Sequence, residues 1–275
     1  MLKIGSYNEL IVDSVVEFGV YLHSEEERIL LPQKYVPEDL NVGDSINVFV
    51  YTDSEDRPIA TTIKPSGVVG DFVYIEAKDV APFGTFMDWG LEKDLLVPKS
   101  EQQDKLIIGS KYIVKICLDE ITDRVYGTTK ISANSEKDLK ELTELQKVEL
   151  LIHSETNIGI MAVIDNRYFG MLYKNETYKK LSVGERVTGY IMRLREDGKI
   201  DLTLKTPGYN SVEGSGESVF AKLKEAGGSL PYHDKSSPDD IKKVFSMSKK
   251  EFKKAIGSLF KSGLIELNKD GIKLK

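Results

Sequence analysis

Short runs in which apolar and polar residues alternate make up most of the chain before its C-terminal segment. Positions two apart share one face of a strand, so this period of two predicts β-strands rather than helices. The runs are rich in Val, Ile, Tyr and Phe and are bounded by Gly, Pro and Asp, which is typical of short strands joined by tight turns. The pattern therefore predicts a mainly β region.

Two glycine landmarks show that this β region is a repeat. The first is a glycine inside an apolar run and the second is a glycine between an apolar and a polar residue: Gly19 and Gly43, Gly84 and Gly109, Gly159 and Gly184. The landmarks advance by 65 and 66 residues from the first unit to the second, and by 75 residues each to the third. Landmarks that move in step indicate internal repetition. Five short strands per unit predict an OB-fold barrel in residues 1–65, 66–134 and 147–207.

Two segments between these units break the alternation. Residues 135–146 read SEKDLKELTELQ, in which Leu139, Leu142 and Leu145 recur every three residues. This spacing predicts a short amphipathic linker helix. Residues 208–218 are rich in Gly and Ser, which predicts a flexible linker.

Residues 219–275 have a different pattern, predicted to be helix, short strand, helix, helix and hairpin. Ser237 followed by Pro238 marks the start of the second helix, and Ser248 with Glu251 forms a capping box for the third. This order is that of a winged helix, a relative of the helix-turn-helix motif. The chain is thus predicted to be a mainly β, multi-domain protein with three tandem five-stranded OB-fold barrels and a C-terminal α+β winged-helix domain.

Charge is distributed unevenly along this arrangement. The net charge is -6, yet residues 1–65 carry 5 basic and 12 acidic side chains, a net of -7, whereas residues 217–275 carry 13 and 8, a net of +5. Such asymmetry predicts that a polyanion meets the C-terminal half. The sequence shows neither an apolar run long enough for a membrane span nor a basic segment followed by an apolar leader. Cys117 is the single cysteine. A cytoplasmic protein with no membrane partner is expected.

The stretch PFGTFMDWG in the second unit carries the strongest candidate chemistry. Phe83 and Phe86 are three residues apart, and Gly84 is expected to mark a bulge that brings both rings to one surface. There they would stack on unpaired bases, although an aromatic residue in a strand, taken alone, more often fills a barrel core. Trp89 is either exposed for stacking or caps the barrel.

Catalytic and metal-binding patterns are missing from the sequence. His23, His153 and His233 are far apart and lack metal-ligand spacing. Neither a nucleophile elbow nor a phosphate-cradling glycine motif occurs. No enzymatic activity, metal site or cofactor is therefore expected.

The second unit resembles the RNA-binding OB-fold domain named after ribosomal protein S-one. The resemblance rests on Phe83-Gly84-Thr85-Phe86, on Leu96-Val97-Pro98-Lys99-Ser100 and on Arg124. The first unit matches at Phe18, Gly19, Tyr21 and Arg57. The third matches at Gly159, Tyr173 and Lys199, with Ile158 and Met161 in place of the strand aromatics.

Three such units followed by a winged helix resemble the bacterial conserved virulence factor B (CvfB, YitL-like) family of RNA-binding regulators. The resemblance implies that the chain binds single-stranded RNA and acts in gene expression. Its implied RNA-binding residues are Phe83, Phe86, Lys99, Arg124, Phe18, Tyr21, Arg57, Tyr173 and Lys199. The basic winged helix would add phosphate contacts from Lys249, Lys250, Lys253, Lys254 and Lys261.

Two other functions stay open at this point. The winged helix could bind duplex DNA through its third helix, although residues Ser248 to Phe260 contain no Arg, Asn or Gln for reading bases. Alternatively, the winged helix could dock on another protein, with the barrels as spacers. Competition between RNA and duplex DNA, and binding that survives nuclease and high salt, would separate these functions.

Overall fold

The computed structural model describes residues 2–24, 27–174, 180–205, 211–268 and 270–275, with side chains described from residue 215 onward in the helix that begins at 211. These residues cluster into two compact bodies, residues 1–138 with 163–169, and residues 139–162 with 170–275.

Fifteen of the strands in the described ranges form three five-stranded units. The first contains β1 (Ser6–Val16), β2 (Gly19–His23), β3 (Arg28–Pro32), β4 (Ser45–Thr52) and β5 (Pro58–Thr61). The second contains β6 (Phe72–Ala81), β7 (Gly84–Asp88), β8 (Leu95–Pro98), β9 (Lys111–Asp119) and β10 (Arg124–Thr128). The third contains β11 (Lys147–Glu155), β12 (Gly159–Ile164), β13 (Tyr168–Tyr173), β14 (Arg186–Leu194) and β15 (Ile200–Thr203).

All three units have the same strand connectivity. The first and third close into barrels with the orders β1-β2-β3-β5-β4 and β11-β12-β13-β15-β14. The second has the order β10-β9-β6-β7-β8 and lacks ladder hydrogen bonds between β8 and β10, so it is a partly open barrel. The predicted mainly β fold with five-stranded OB-fold barrels is confirmed.

The first glycine landmark is explained by a close approach between two strands. A Cβ added to Gly84 would lie 2.6 Å from the carbonyl oxygen of Val97 on β8. In the same way, a Cβ added to Gly19 would lie 2.2 Å from a backbone oxygen of β3, and one added to Gly159 would lie 2.4 Å from a backbone oxygen of β13. Because a side chain at these positions would clash with backbone, each second strand begins with a glycine.

The bulge expected at Gly84 is absent from that position. The irregularity in this pair of strands lies in β6, where the register with β7 shifts between Ala77 and Asp79. Gly84 is therefore needed for the close packing of two strands. The bulge lies in β6, the first strand of the unit, where the extra residue changes the orientation of the neighbouring side chains.

The second landmark closes an equivalent turn in each unit. The N–H groups of Gly43, Gly109 and Gly184 donate to the carbonyl oxygens of first-strand residues at 2.8–2.9 Å. Each glycine has a positive φ between 79° and 93°, a conformation that costs other residues free energy. The repeat seen in the sequence is therefore a repeat of backbone geometry.

The first two units share part of their core. Trp89 is 2% exposed and packs edge-on against Phe49 of β4, with ring centroids 5.7 Å apart. Its indole N–H donates to the carbonyl oxygen of Lys93 at 2.7 Å. Of the two roles considered for Trp89, the structure shows the buried cap.

The linker helix predicted for residues 135–146 is wrong. The helix nearest to it is a single turn, α1 (Ile131–Asn134). Further along, Leu145 adopts a φ of 68°, and its N–H donates to the carbonyl oxygen of Ile191 in β14. Leu142 is buried whereas Leu145 is exposed, so the leucines do not share one face. Pairing with β14 overrides a weak local helix propensity.

The flexible linker predicted for residues 208–218 is also wrong in part. Residues 208–210 lie outside the described residues, but α2 spans Ser211–Glu225 and thus starts well before Val219. Gly216 lies close to α4 (Lys249–Lys261), since a Cβ there would sit 3.8 Å from Leu259. A Cβ at this distance would make an ordinary van der Waals contact, so Gly216 lies in a helix that packs against α4 and not in a linker.

The C-terminal domain is completed by β16 (Ser229–Leu230), α3 (Pro238–Phe245), β17 (Ile265–Asn268) and β18 (Gly271–Leu274). Helices α3 and α4 begin with the caps that the sequence predicted. Ser237 accepts from the N–H of Asp239, and Ser248 and Glu251 form a reciprocal capping box. The winged-helix prediction is confirmed. Among the helices within the described ranges, none has the length and apolarity needed to cross a lipid bilayer.

The substitution Gly84→Ala tests the strand contact. Its Cβ would overlap the backbone of β8, so we expect the free energy of unfolding to fall by about 1–3 kcal/mol. Trp89 is the single tryptophan and lies in the same unit, so its fluorescence during urea unfolding reports the change.

Gly257→Ala is the matched control for this experiment. A Cβ at Gly257, inside α4, would meet no atom within 4 Å. Alanine also has a higher helix propensity than glycine, so this variant should not lower the urea midpoint that is followed by Trp89 fluorescence. Equal midpoints for Gly84→Ala and the wild type would show that the strands separate without cost.

Candidate nucleic-acid interface

Two aromatic rings lie side by side on the second barrel. Phe83 precedes β7 and is 59% exposed, whereas Phe86 lies within β7 and is half-buried. Their ring centroids are 5.9 Å apart and the planes are nearly perpendicular, at 89°. Perpendicular packing is a favoured geometry for aromatic pairs, and it leaves the outer ring open to solvent. The predicted pair therefore exists, with Phe83 as its accessible member.

A lysine is fixed next to this pair by the backbone. The N–H of Lys99 donates to the carbonyl oxygen of Phe83 at 2.9 Å, directly after β8 ends. Lys99 is exposed, and no ion pair of its side chain is found among the described residues. A shallow groove of about 480 Å³ adjoins it and is also lined by Gln102, Gln103, Asp104 and Lys105. Two cations, two amides and one carboxylate give this groove a net positive charge.

The first barrel repeats the arrangement. Phe18 is 58% exposed, and its centroid lies 6.3 Å from that of half-buried Tyr21, with the rings at 85°. The N–H of Gln33 donates to the carbonyl oxygen of Phe18 at 2.9 Å, as Lys99 does in the second barrel. The guanidinium of Arg28 lies 4.1 Å from the Tyr21 centroid, within the range of a cation–π contact.

The third barrel keeps the backbone arrangement without the rings. Ile158 is 57% exposed at the position of Phe18 and Phe83, and Met161 is half-buried. The N–H of Lys174 donates to the carbonyl oxygen of Ile158 at 3.2 Å. The predicted residue Tyr173 lies beside it, but its hydroxyl accepts from Arg195 at 2.8 Å. At the positions of the two rings the third face therefore carries Ile158 and Met161, next to the basic residue Lys174.

The hairpin before the last strand of each barrel carries a predicted cation, and each cation is in an ion pair. Lys199 binds Asp197 of its own hairpin at 2.7 Å. Arg57 binds Asp53 of its own hairpin at 2.7 Å and Glu55 at 3.0 Å. Arg124 instead binds Asp56, which belongs to the first barrel.

The Arg57–Asp53 pair shifts the titration of both groups. Burial opposes ionisation of Asp53, but hydrogen bonds from the Arg57 side chain and from the backbone N–H groups of Arg57 and Glu55 outweigh it. The pKa of Asp53 is therefore lowered in the folded chain. The same side-chain hydrogen bond raises the pKa of Arg57.

Arg124 lines a larger groove, which lies between the first and second barrels. The groove has a volume of about 870 Å³ and includes Phe86 and Tyr126 among its lining residues. Lys93 and Arg124 are its cations, and its carboxylates are Asp56, Asp94, Glu101, Asp119 and Glu120. This groove is acidic overall, in contrast to the groove at Lys99.

The predicted lysines of the winged helix share one helix. Phe252, Ala255, Ile256 and Leu259 form the buried face of α4. Lys250, Lys253, Lys254 and Lys261 are exposed, whereas Lys249 is half-buried. Lys253 lies 3.8 Å from a carboxylate oxygen of Asp234, so its charge is partly balanced.

Sequence reasoning missed three residues of this surface. Arg28 belongs to none of the sequence motifs, although Tyr21, the ring that it covers, was predicted from one. Asp56 and Lys93 were not considered because their contacts join two repeats, which no spacing within one repeat can reveal. Charge was the available signal, since carboxylates outnumber cations in this chain and a surface cation therefore tends to pair with one.

Comparison with known families gives two domain assignments. Residues 4–63 match the family model of the S1 domain. Residues 217–274 match the CvfB-like winged helix domain.

Relatives match over nearly the whole chain. The Uncharacterized protein YitL of Bacillus subtilis (strain 168) is 30% identical over 277 residues, which cover 96% of this chain and 91% of that protein. Conserved virulence factor B of Staphylococcus saprophyticus is 24% identical over 253 residues, which cover 86% and 82%. A solved multidomain protein with nucleic acid binding domains from Streptococcus pneumoniae is 22% identical, with a TM-score of 0.44 over 99% of this chain and 98% of that one.

The ion pair of Arg57 predicts a pH dependence. Asp53 has a lowered pKa when folded, so the pair stabilises the chain above the unfolded Asp value of about 3.9, and this stabilisation is lost as the pH falls through the folded pKa. We expect Arg57→Ala to lower the urea midpoint, followed by Trp89 fluorescence, at neutral pH. The difference from the wild type should shrink below about pH 4.

Lys64→Ala provides the control for loss of a surface cation. Lys64 is exposed in the same barrel, and no ion pair involving it occurs in the part of the chain that the structure describes. Its effect should be small at every pH. An Arg57→Ala difference that stays constant down to acid pH would contradict the proposed role of Asp53.

Proposed function

Because the chain belongs to the conserved virulence factor B (CvfB/YitL-like) family, we propose that it is a non-enzymatic RNA-binding protein that regulates gene expression at the RNA level. Single-stranded RNA is its ligand, held by the faces of the barrels and by the winged helix. The single cysteine, Cys117, fits action in the reducing cytoplasm, since proteins there seldom depend on disulfides.

The observation that carries this proposal is the exposed ring pair, which occurs twice with one geometry. Phe83 and Phe18 are each more than half exposed although a large aromatic side chain gains free energy from burial. Each is backed by a second ring at right angles, which restricts its motion. A ring held in place presents a flat surface on which an unpaired base can stack. Such stacking does not depend on the RNA sequence, because every base has a flat face.

Charge supports contact with phosphates on one side of this pair. Lys99 and Lys105 line the groove adjoining Phe83, and the larger acidic groove lies next to Phe86. A backbone of phosphates would therefore follow the Lys99 side while bases reach Phe83. Single-stranded RNA suits this better than a duplex, whose bases are already stacked on one another.

The winged helix supplies phosphate contacts of a second kind. Lys250, Lys254 and Lys261 are exposed on α4, and the domain has a net charge of +5. No aromatic pair accompanies them on this helix. Their contribution is electrostatic, so it should be strongly dependent on salt.

Substitution of the exposed ring tests the proposal. Stacking contributes about 1–3 kcal/mol per base, so Phe83→Ala should raise the Kd for a labelled, unstructured RNA oligonucleotide at least about fivefold. Fluorescence anisotropy measures this directly. Ile107→Ala is the matched control, because Ile107 is an apolar residue of the same unit with a similar exposure of 62%.

Equal effects of Phe83→Ala and Ile107→Ala would mean that the ring does not stack on RNA. Competition with unlabelled duplex DNA in the same assay separates the alternatives. Displacement of RNA by duplex DNA at equal concentration would favour the DNA-binding function of the winged helix.

Salt dependence tests the lysines. For single-stranded ligands, log K falls with log salt by about 0.7 for each phosphate contacted. Replacing Lys250 and Lys254 together by Ala should reduce this slope by about 1.4, because two contacts are lost. The paired control replaces Lys242 and Lys243 of α3, which changes the net charge equally. Similar slopes for both double variants would show that overall charge, and not the α4 surface, attracts RNA.

A further inference from the structure

Arg124 differs from the equivalent cations of the other barrels in the origin of its partner. Arg57 and Lys199 are each held by a carboxylate of their own hairpin. In the second barrel Asp119, which ends the strand before the hairpin, accepts from the backbone N–H groups of Ile121 and Thr122. The partner of Arg124 is Asp56, supplied by the first barrel.

The hairpin that carries Asp56 is fixed onto the second barrel. The ammonium of Lys93 donates to the carbonyl oxygen of Asp53 at 2.6 Å and lies 3.7 Å from the carboxylate of Asp56. Asp56 has a φ of 61°, and its N–H donates to the carbonyl oxygen of Asp53 at 3.0 Å. The tip of this hairpin therefore points its carboxylate at two cations of the neighbouring barrel.

Both cations share a groove with the inner ring of the aromatic pair. Arg124, Lys93 and Phe86 line the same groove of about 870 Å³, and Phe86 is the inner ring of the exposed aromatic pair. A guanidinium binds carboxylate and phosphate oxygens with the same geometry. Asp56 thus occupies the place that a phosphate would take at Arg124.

We propose that Asp56 is a built-in phosphate mimic, which competes with the RNA backbone for Arg124 and lowers the affinity of the second barrel for RNA. The inference rests on the proposed RNA-binding function. The side chains of Arg124 and Asp56 are 59% and 38% exposed, so a phosphate can reach and displace the carboxylate. Exposed ion pairs are weak, which makes this competition reversible.

Asp56→Asn tests the competition in the full-length chain. Asparagine is nearly isosteric and tolerates a positive φ, so the hairpin should be preserved. With the charge removed, the Kd for an unstructured RNA oligonucleotide should fall about two- to fivefold, the range expected for one exposed ion pair. The salt slope should steepen by about 0.7, which corresponds to one added phosphate contact.

Two further variants make the result specific to Arg124. Asp39→Asn removes the same charge from an exposed position of the first barrel and should change the Kd little. Adding Arg124→Ala to Asp56→Asn should abolish the gain in affinity that Asp56→Asn produces alone. Trp89 emission and the urea midpoint of each variant confirm that the two barrels stay folded together.

Each outcome decides the inference. A gain confined to Asp56→Asn and dependent on Arg124 supports it. If the wild type binds RNA but Asp56→Asn matches Asp39→Asn, or gains affinity without Arg124, the competition is refuted while the RNA-binding function stands. If neither the wild type nor Asp56→Asn binds RNA, both proposals fail.

Discussion

The close approach between the second and third strands of each barrel is the constraint on which the candidate interface depends. Gly84 allows β7 to lie against the carbonyl of Val97, and one residue earlier the carbonyl of Phe83 receives the N–H of Lys99. A ring and a cation are thereby brought together by backbone geometry alone. The same contact in the third barrel places Ile158 and Lys174 together, so the backbone arrangement survives where the aromatic chemistry does not. The barrel backbone is the same in the three units, whereas the side chains at this corner differ. One fold can thereby present surfaces of different chemistry.

The second constraint is charge. A chain with a net charge of -6 has more carboxylates than cations, so cations on its surface tend to be paired. Arg57, Arg124 and Lys199 all follow this rule, whereas no ion pair of Lys99 is found among the described residues. Paired cations contribute less to binding an anion, because a partner must first be displaced. Whether a cation is ion-paired is therefore a better guide to a phosphate contact than the number of cations. Among the cations predicted to bind RNA in the first two barrels, this criterion selects Lys99, although that region is acidic overall.

Repetition made much of the fold predictable from sequence, and contacts between repeats limited the rest. The positions of Gly19 and Gly84 were enough to place the two ring pairs, because each pair lies within a few residues of its glycine. The linker around Leu145 was mispredicted because pairing with β14 is a tertiary contact that local periodicity does not encode. The pairing of Asp56 with Arg124 was beyond reach for the same reason. Local signals determined the elements, whereas the ion pair of Arg124 depends on a residue 68 positions away in the sequence.

In the proposed RNA complex, the barrels and the winged helix would hold one polymer in two physically different ways. An exposed ring such as Phe83 gains free energy from contact with a base, a term that salt affects little. The lysines of α4 gain from release of counterions, a term that falls steeply as salt rises. A chain that used only the second mode would bind any polyanion, including duplex DNA, and would lose it at moderate ionic strength. Because the rings require an unstacked base, they add a preference for single strands that the lysines cannot provide. In that complex, selectivity would come from the barrels and electrostatic capture from the winged helix, so removing either should change a different property of binding.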